Sequence, residues 1–415
     1  MSIVYLDNNG TTPMCKASKK EAIKWFKNPA NPSGENVYAI KARELLQSSV
    51  KAIKKHSNAN HCEVIFTSGA TESNCTILRS IIDGWWNTVQ SIPHIIISSI
   101  EHTSILHCLD LLMEEEKVEV TMIDPNQYGI IDPVDVESNI QDNTCLISIM
   151  MANNEIGSIN PIKRIVQIAH SKNPSIPVHS DATQMFGKYK LDLKSMGVDV
   201  ISMCFHKLYG PTGCGLLIVD KALIEGYELH GIINGKQQGG LRAGTEPIPI
   251  IAASMAALLD TFINRSKKNK HLLKMRNETI KYLKKNFTQI NAHEEHKDEK
   301  KHDKVEFSIL GPPVEHTKLY IPNTLLLCFN SHKKKICNVK LRNWLNSKKV
   351  IVSIGSTCNT ASNNASHVID AINLPKKLYS GVIRISFGDQ NTMKDVDKLC
   401  RTLKSAFVGN KNIYM

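Results

Sequence analysis

The chain has 415 residues, 42% hydrophobic and 22% charged, and 51 Lys and Arg against 39 Asp and Glu give it a formal net charge of +12. That length leaves room for two or three compact units of roughly 150 residues and excludes a peptide hormone or a small stapled scaffold, while the composition fits neither wholesale disorder nor a coiled coil. The positive excess is largely diffuse lysine, in segments such as SKKNKHLLK and NSHKKKI without aromatic interleaving, so these runs read as solvated faces and no direct nucleic-acid partner is expected.

The chain opens MSIVYLDNNGTTP, a strand-like run and a polar turn with no basic n-region, apolar h-region or amphipathic leader; a cytoplasmic location is the expectation. No apolar stretch reaches the roughly 18 residues that span a bilayer, so no membrane partner is expected. Strand-like runs then alternate with helical patterns, at Glu63 to Thr67, His94 to Ser98, Glu119 to Ile123, Cys145 to Met150, Pro177 to Ser180, Val200 to Cys204 and Cys214 to Val219. Such alternation predicts an α/β fold with a mainly parallel sheet wrapped by helices. Between two of these runs, Ile162, Ile165, Val166 and Ala169 follow Pro161 at helical spacing, which predicts a crossover helix.

From Ile250 to about Phe287 the pattern is helical without strands, and a charge-dense surface insertion follows at about 291–306. Strands at Asn323 to Phe329, Val350 to Ser353 and Val382 to Ser386, set among helices, predict a smaller α+β domain. The expected division is a large domain over 16–263 and a small one from 1–15 with 264–415. Eleven cysteines with no CxxC pair read as reduced thiols, and no metal-ligand spacing is present.

Polar groups gather where these strands end. EVIFTS runs into GATESN, placing a glycine turn at a helix mouth where free N–H groups hold an anion near Ala70 and Thr71, although a plain N-cap fits as well. Lys207 follows the run VISMCF, at the edge where open parallel sheets bind ligands; desolvation there would lower its pKa, and the alternative is a lysine that snorkels from a strand end. Asp181, in PVHSDATQ, is an N-cap or the partner of a ring nitrogen. At about 4 Å such a pair gains roughly 4 kcal/mol at an effective dielectric of 20, near three pKa units. His102 and Asn154 end two further runs, and Gln184 follows Asp181 closely. Cys358 lies in a loop at about 355–366 rich in Gly, Ser, Thr and Asn; it is an inert cysteine or a mobile nucleophile.

The motifs YLDNNGTT, NPSG, GATESN, the EH pair, NNEIG, DATQ, HKLYGPTGCG, LRAGTEP, IPNTLLLCF, GSTC and IRISFG stand in this order from end to end. In this the chain resembles the pyridoxal-phosphate cysteine desulfurases of the NifS/IscS type, fold-type I enzymes among the class V aminotransferases, whose large domain holds a seven-stranded sheet. The resemblance implies pyridoxal 5'-phosphate held as an internal aldimine on Lys207, with Asp181 at the pyridinium, His102 stacked on the ring and Gln184 and Asn154 at its edge. It implies Thr71 and His206 at the phosphate, and Thr245 reaching the phosphate of the other subunit in a homodimer. Arg384 with Asn31 would hold the carboxylate of L-cysteine, and Cys358 would take its sulfur as a persulfide for an acceptor protein. A selenocysteine lyase would use the same lysine, and an idle basic scaffold is the alternative of another kind. Cys204 stands where the family usually has a serine, and Gln238 and Gly239 replace an acidic and a basic residue.

Overall fold

The structure is a computed structural model that describes residues 3–294, 305–331, 334–354, 366–409 and 413–414. In chain order the first elements are β1 (Val4–Tyr5), α1 (Lys16–Phe26), α2 (Val37–Ser57), β2 (Cys62–Thr67), α3 (Ala70–Thr88), β3 (His94–Ser98), α4 (Thr103–Glu114), β4 (Glu119–Ile123), α5 (Pro133–Ser138), β5 (Thr144–Ser148) and α6 (Ile162–Lys172). There follow β6 (Val178–Asp181), α7 (Leu193–Met196), β7 (Val200–Cys204), β8 (Gly215–Asp220), α8 (Lys221–Gly226) and α9 (Ile248–Asn286). The last part holds β9 (Thr288–Gln289), β10 (Glu306–Leu310), β11 (Thr324–Asn330), α10 (Asn338–Ser347), β12 (Val350–Ile351), α11 (His367–Ala371), β13 (Val382–Ser386) and α12 (Met393–Gly409).

A seven-stranded sheet in the order β2-β8-β7-β6-β5-β3-β4 forms the larger layer. The neighbours from β7 through β4 are parallel, whereas β8 runs antiparallel to both β7 and β2. Both faces are apolar. Ile96, Ile147, Ile201 and Leu216 belong to one buried cluster, and their strand neighbours Ile95, Leu146, Val200 and Leu217 to another. This is the near-continuous hydrophobic run that a sheet covered on both sides requires. The polar exceptions are paired: His179 links the Ser148 and Ser202 hydroxyls at 2.8 and 2.9 Å, a ladder across β5, β6 and β7, and burial pushes its pKa down to about 4.

The second sheet, β13-β11-β10-β9, alternates in the same way: Leu325, Leu327 and Phe329 face one cluster, Leu326 and Cys328 the other. β1 adds to neither sheet but pairs with β12, Val4 against Val350 and Tyr5 against Ile351. Helix α9 serves both layers, with Ile251, Met255 and Leu258 in the large-sheet cluster and Leu272, Met275 and Ile280 in the small-sheet cluster. By length and composition its apolar stretch could cross a membrane, and half of that stretch is buried inside the molecule.

Two expectations need correction. The charged insertion was expected to run to about 306, but a strand of the small sheet, β10, begins at Glu306, its five residues reading EFSIL. The run at Val350 to Ser353 contracts to β12, because only Val350 and Ile351 meet β1; Ser353 instead bridges Arg384. Ten cysteines are described and all ten are free thiols.

Candidate active site

β2 runs antiparallel to β8, and β8 antiparallel to β7. The ends of β2, β3, β5, β6 and β7 therefore open on one side, where a cavity of about 360 Å³ is lined by Ser68 to Thr71, His102, Asn154, Asp181, Gln184, Cys204, His206 and Lys207, among others. The groups come from the ends of five strands, β2, β3, β5, β6 and β7. That is how a parallel sheet gathers residues distant in sequence.

The glycine turn forms one wall. Gly69 caps α3 without any side-chain hydrogen bond, so the first-turn N–H groups, which have no intrahelical acceptor, carry the positive end of a 19-residue helix. A Cβ built on Gly69 would meet no protein atom within 4 Å, whereas one on Gly215 would lie 2.5 Å from the Gly69 carbonyl carbon. The turn is thus open on one side and pressed against β8 on the other. Glu72, buried in this first turn, is occupied: it accepts from Ser68 N at 2.6 Å and from Arg242 Nε at 3.1 Å.

Asp181 sits at the end of β6, 5% exposed. Its carboxylate accepts from Asn74 Nδ2 at 3.1 Å and from Thr183 N at 2.8 Å, a charge stabilised by fixed dipoles rather than by a cation. His102 caps α4, its Nδ1 accepting from Ser104 N at 3.1 Å. An accepting Nδ1 carries no proton, so a neutral ring has its hydrogen on Nε2. Burial lowers the His102 pKa, with Asp181 opposing the shift. His206 bonds the Thr11 hydroxyl at 3.1 Å and is pushed down to about 4 by burial. The Cys204 thiol rises to about 11 for the same reason and stays protonated.

Lys207 lies in the single turn after β7, and its Nζ donates to the carbonyls of Asn9 and Gly10. Among the described residues no carboxylate touches it, and burial lowers its pKa. Gln184 donates to the same Asn9 carbonyl at 3.4 Å. Arg384, 4% exposed on β13, is held by Asp7 Oδ1 at 2.6 Å and the Asn154 carbonyl at 3.1 Å. Among the described residues its Nε, itself buried, has no hydrogen-bond partner.

Of the residues singled out from the sequence, Ala70, Thr71, His102, Asn154, Asp181, Gln184, His206 and Lys207 therefore line one cavity, and Arg384 reaches its edge through Asn154. Asn31 and Thr245 do not: both are exposed, and Asn31 is engaged in its own turn, accepting from Ser33 N at 3.0 Å. Cys358 lies outside the described residues. The N-terminal turn was missed. Asn9 donates to the Asn154 carbonyl at 2.8 Å and Thr324 Oγ1 at 2.7 Å and accepts from Asn323 at 2.8 Å, while its own carbonyl receives Lys207. Gln238, one of the two replacements, has a defined place. Its amide accepts from Phe66 N at 2.6 Å and donates to Phe66 O at 2.9 Å, closing the open edge of β2 as another strand would.

The aminotransferase class-V family model matches residues 4–311 and 272–399. The chain is 35% identical over 399 residues to the cysteine desulfurase IscS of Methanosarcina thermophila, covering 95% of this chain and 90% of that one. Against the cysteine desulfurase IscS of Clostridium botulinum strain Kyoto it is 32% identical over 403 residues, covering 96% and 93%. Among solved structures, a NifS-like protein superposes with a TM-score of 0.83 at 27% identity, covering 97% of this chain and 99% of the other. SspA in complex with cysteine gives 0.75 at 28% identity, covering 94% and 100%. A strand-end cavity around a half-buried lysine and kinship along nearly the whole length lead to one assignment: the chain belongs to the class-V aminotransferases, in their NifS/IscS family.

Proposed function

We propose that this chain is a pyridoxal 5'-phosphate-dependent cysteine desulfurase that converts L-cysteine to L-alanine and leaves the sulfur as a persulfide on Cys358 for transfer to an acceptor protein. The observation that carries the reading is Lys207: an amine that has no carboxylate partner among the described residues, its pKa lowered by burial, on the wall of a cavity that also holds Asp181 and an uncapped helix terminus. Such an amine can be neutral and bond an aldehyde. The residues fit the cofactor. The open side of Gly69 and the first turn of α3, with Thr71 and His206, suit its phosphate; Asp181 suits a protonated ring nitrogen; His102 offers a flat face, and Gln184 and Asn154 offer amides to the ring's edge.

When bound, the cofactor withdraws electrons from the substrate's Cα, which makes the Cα proton acidic and weakens the bond between Cβ and sulfur. Arg384 would hold the substrate carboxylate through its guanidinium N–H groups, and Asn31 would have to move in from its own turn to join it. Lys207 would take the Cα proton as general base and return protons as the product forms. The Cys358 thiolate attacks the substrate sulfur; the Cβ–S bond breaks, the carbon keeps the electron pair and is protonated, and L-cysteine plus thiol becomes L-alanine plus persulfide. An acceptor thiol then attacks the terminal sulfur.

The exposure of Thr245 supports its use by a second copy in a homodimer, an arrangement that Thr245→Ala would weaken at the partner's phosphate. The pairing of β1 with β12 and the separate apolar clusters of the two sheets support the division into 16–263 and 1–15 with 264–415, α9 being shared between them.

The decisive experiment incubates the pure protein and pyridoxal phosphate with L-cysteine and dithiothreitol. Alanine and sulfide in equal amounts are expected, with borohydride fixing the cofactor to the peptide that contains Lys207. Cys358→Ser should abolish alanine formation from cysteine. A protein that develops no cofactor absorption, or that releases a keto acid in place of sulfide, rejects the reading.

A further inference from the structure

Gln184 is held from behind by a second lysine. Lys188, 9% exposed, donates through Nζ to Gln184 Oε1 at 3.1 Å, and among the described residues it forms no ion pair. It does not line the cavity; it lies in a narrow cleft on the far side, shared with Lys207, Tyr209, Lys268 and Asp389. Burial lowers its pKa to about 8, with Lys207 adding repulsion and Cys204 and Asp389 opposing it.

A carboxamide has two ends of opposite polarity and nearly equal shape, so only its neighbours decide which end points where. An ammonium donates and cannot accept. Lys188 therefore binds the oxygen of Gln184 and turns the NH2 end toward the Asn9 carbonyl, 3.4 Å away, and toward the cavity. The main-chain carbonyl of Asn9 also receives Lys207, so one chain of hydrogen bonds joins both lysines through Gln184 and Asn9.

We propose that Lys188 is a positioning residue of this site: its hydrogen bond fixes the Gln184 amide so that a donor, and not a carbonyl oxygen, is presented to a ligand oxygen in the cavity. The inference rests on the pyridoxal-phosphate reading, because the oxygen that gains from such a donor is the ionised phenolic oxygen of that cofactor. Without Lys188, only the 3.4 Å contact to the Asn9 carbonyl would set the amide's orientation, and the anion would be held less well.

The test uses the purified holoenzyme. The pH midpoint of the cofactor's long-wavelength absorption band and the dissociation constant for pyridoxal phosphate are measured for the wild type, Lys188→Met and Lys188→Gln. A donor aimed at the phenolic oxygen stabilises it most once the neighbouring lysine nitrogen has lost its proton, so losing that donor raises the midpoint. Lys188→Met should move it up by about one unit and weaken cofactor binding about tenfold. Lys188→Gln, uncharged but able to donate, should stay within about 0.3 units of the wild type. Removing an unpaired buried charge favours folding; if the Met variant is nonetheless insoluble, Lys188→Ala takes its place. An unmoved midpoint in the truncated variant, or a Gln variant that shifts as far as the Met variant, overturns the inference. A wild-type protein without any such band overturns the cofactor reading instead.

Discussion

Two sets of charged groups in and around the cavity are held in opposite ways. In the first, half-buried Lys207 and fully buried Glu101 have no ion pair among the described residues: the amine rests on two main-chain carbonyls, and the carboxyl is served by Ser98 and by Met150 N at 2.7 Å. In the second, Arg384 is fastened to Asp7 at 2.6 Å, and Glu72 to Arg242 at 3.1 Å. A buried group with only dipoles around it can change its protonation state, whereas a matched pair cannot do so without stranding its partner. Lys207 has its pKa lowered by burial, and Glu101 is raised to about 8. The first set is where protons can move, and the second supplies fixed charge.

The contrast can be broken most severely at Lys207. Lys207→Ala should reduce alanine formation by about four orders of magnitude or more and remove all borohydride-stable cofactor; substantial turnover in that variant would mean the proton-moving group lies elsewhere. In the second set, Arg384→Ala should raise KM for cysteine about a hundredfold while kcat changes far less, because a carboxylate clamp acts on ground and transition states alike. An equal loss in kcat would place Arg384 in the chemistry and erase the distinction. Asp7→Asn is milder: with the arm less firmly held, KM should rise about fivefold, and a fall in KM would instead mark Asp7 as a competitor of the substrate. The smallest effect is on stability. A carboxyl whose folded pKa lies above its unfolded value binds more protons when folded, so the apoprotein should lose stability as pH rises from the ordinary carboxyl range through about 8. Glu101→Gln should flatten that decline in urea midpoints measured across the same range.

Much of the larger sheet was legible because its strands are short apolar runs, such as HIIIS in β3 and VISMC in β7, each bounded by polar turns. The strand-end residues were legible too, since in a parallel sheet the polar residue after each run falls on the same side as the others. β10 escaped because EFSIL directly follows a charge-dense segment whose composition masks it. Asn9 escaped for a different reason. Its partners Asn154, Asn323 and Thr324 lie between 145 and 315 residues away, and nothing in the turn DNNG distinguishes an asparagine that joins distant elements from one that merely shapes a bend. Gln238 was judged by the charges it replaces, yet its amide bonds both the N–H and the carbonyl of Phe66. Such a role follows from shape, which composition does not record.

The coupling of β1 to β12, and of the following turn to β13, sets an order on biogenesis. Asn8 and Asn9 bond Ser386 through its carbonyl and hydroxyl, so the carbonyls that cradle Lys207 gain their support only after about 180 further residues have been translated, roughly 10 to 40 s at ordinary ribosome speed. A nascent chain thus carries its reactive amine for that interval before the seat beneath it is built, and premature termination upstream of β13 would yield a polypeptide that has the lysine but not the pocket.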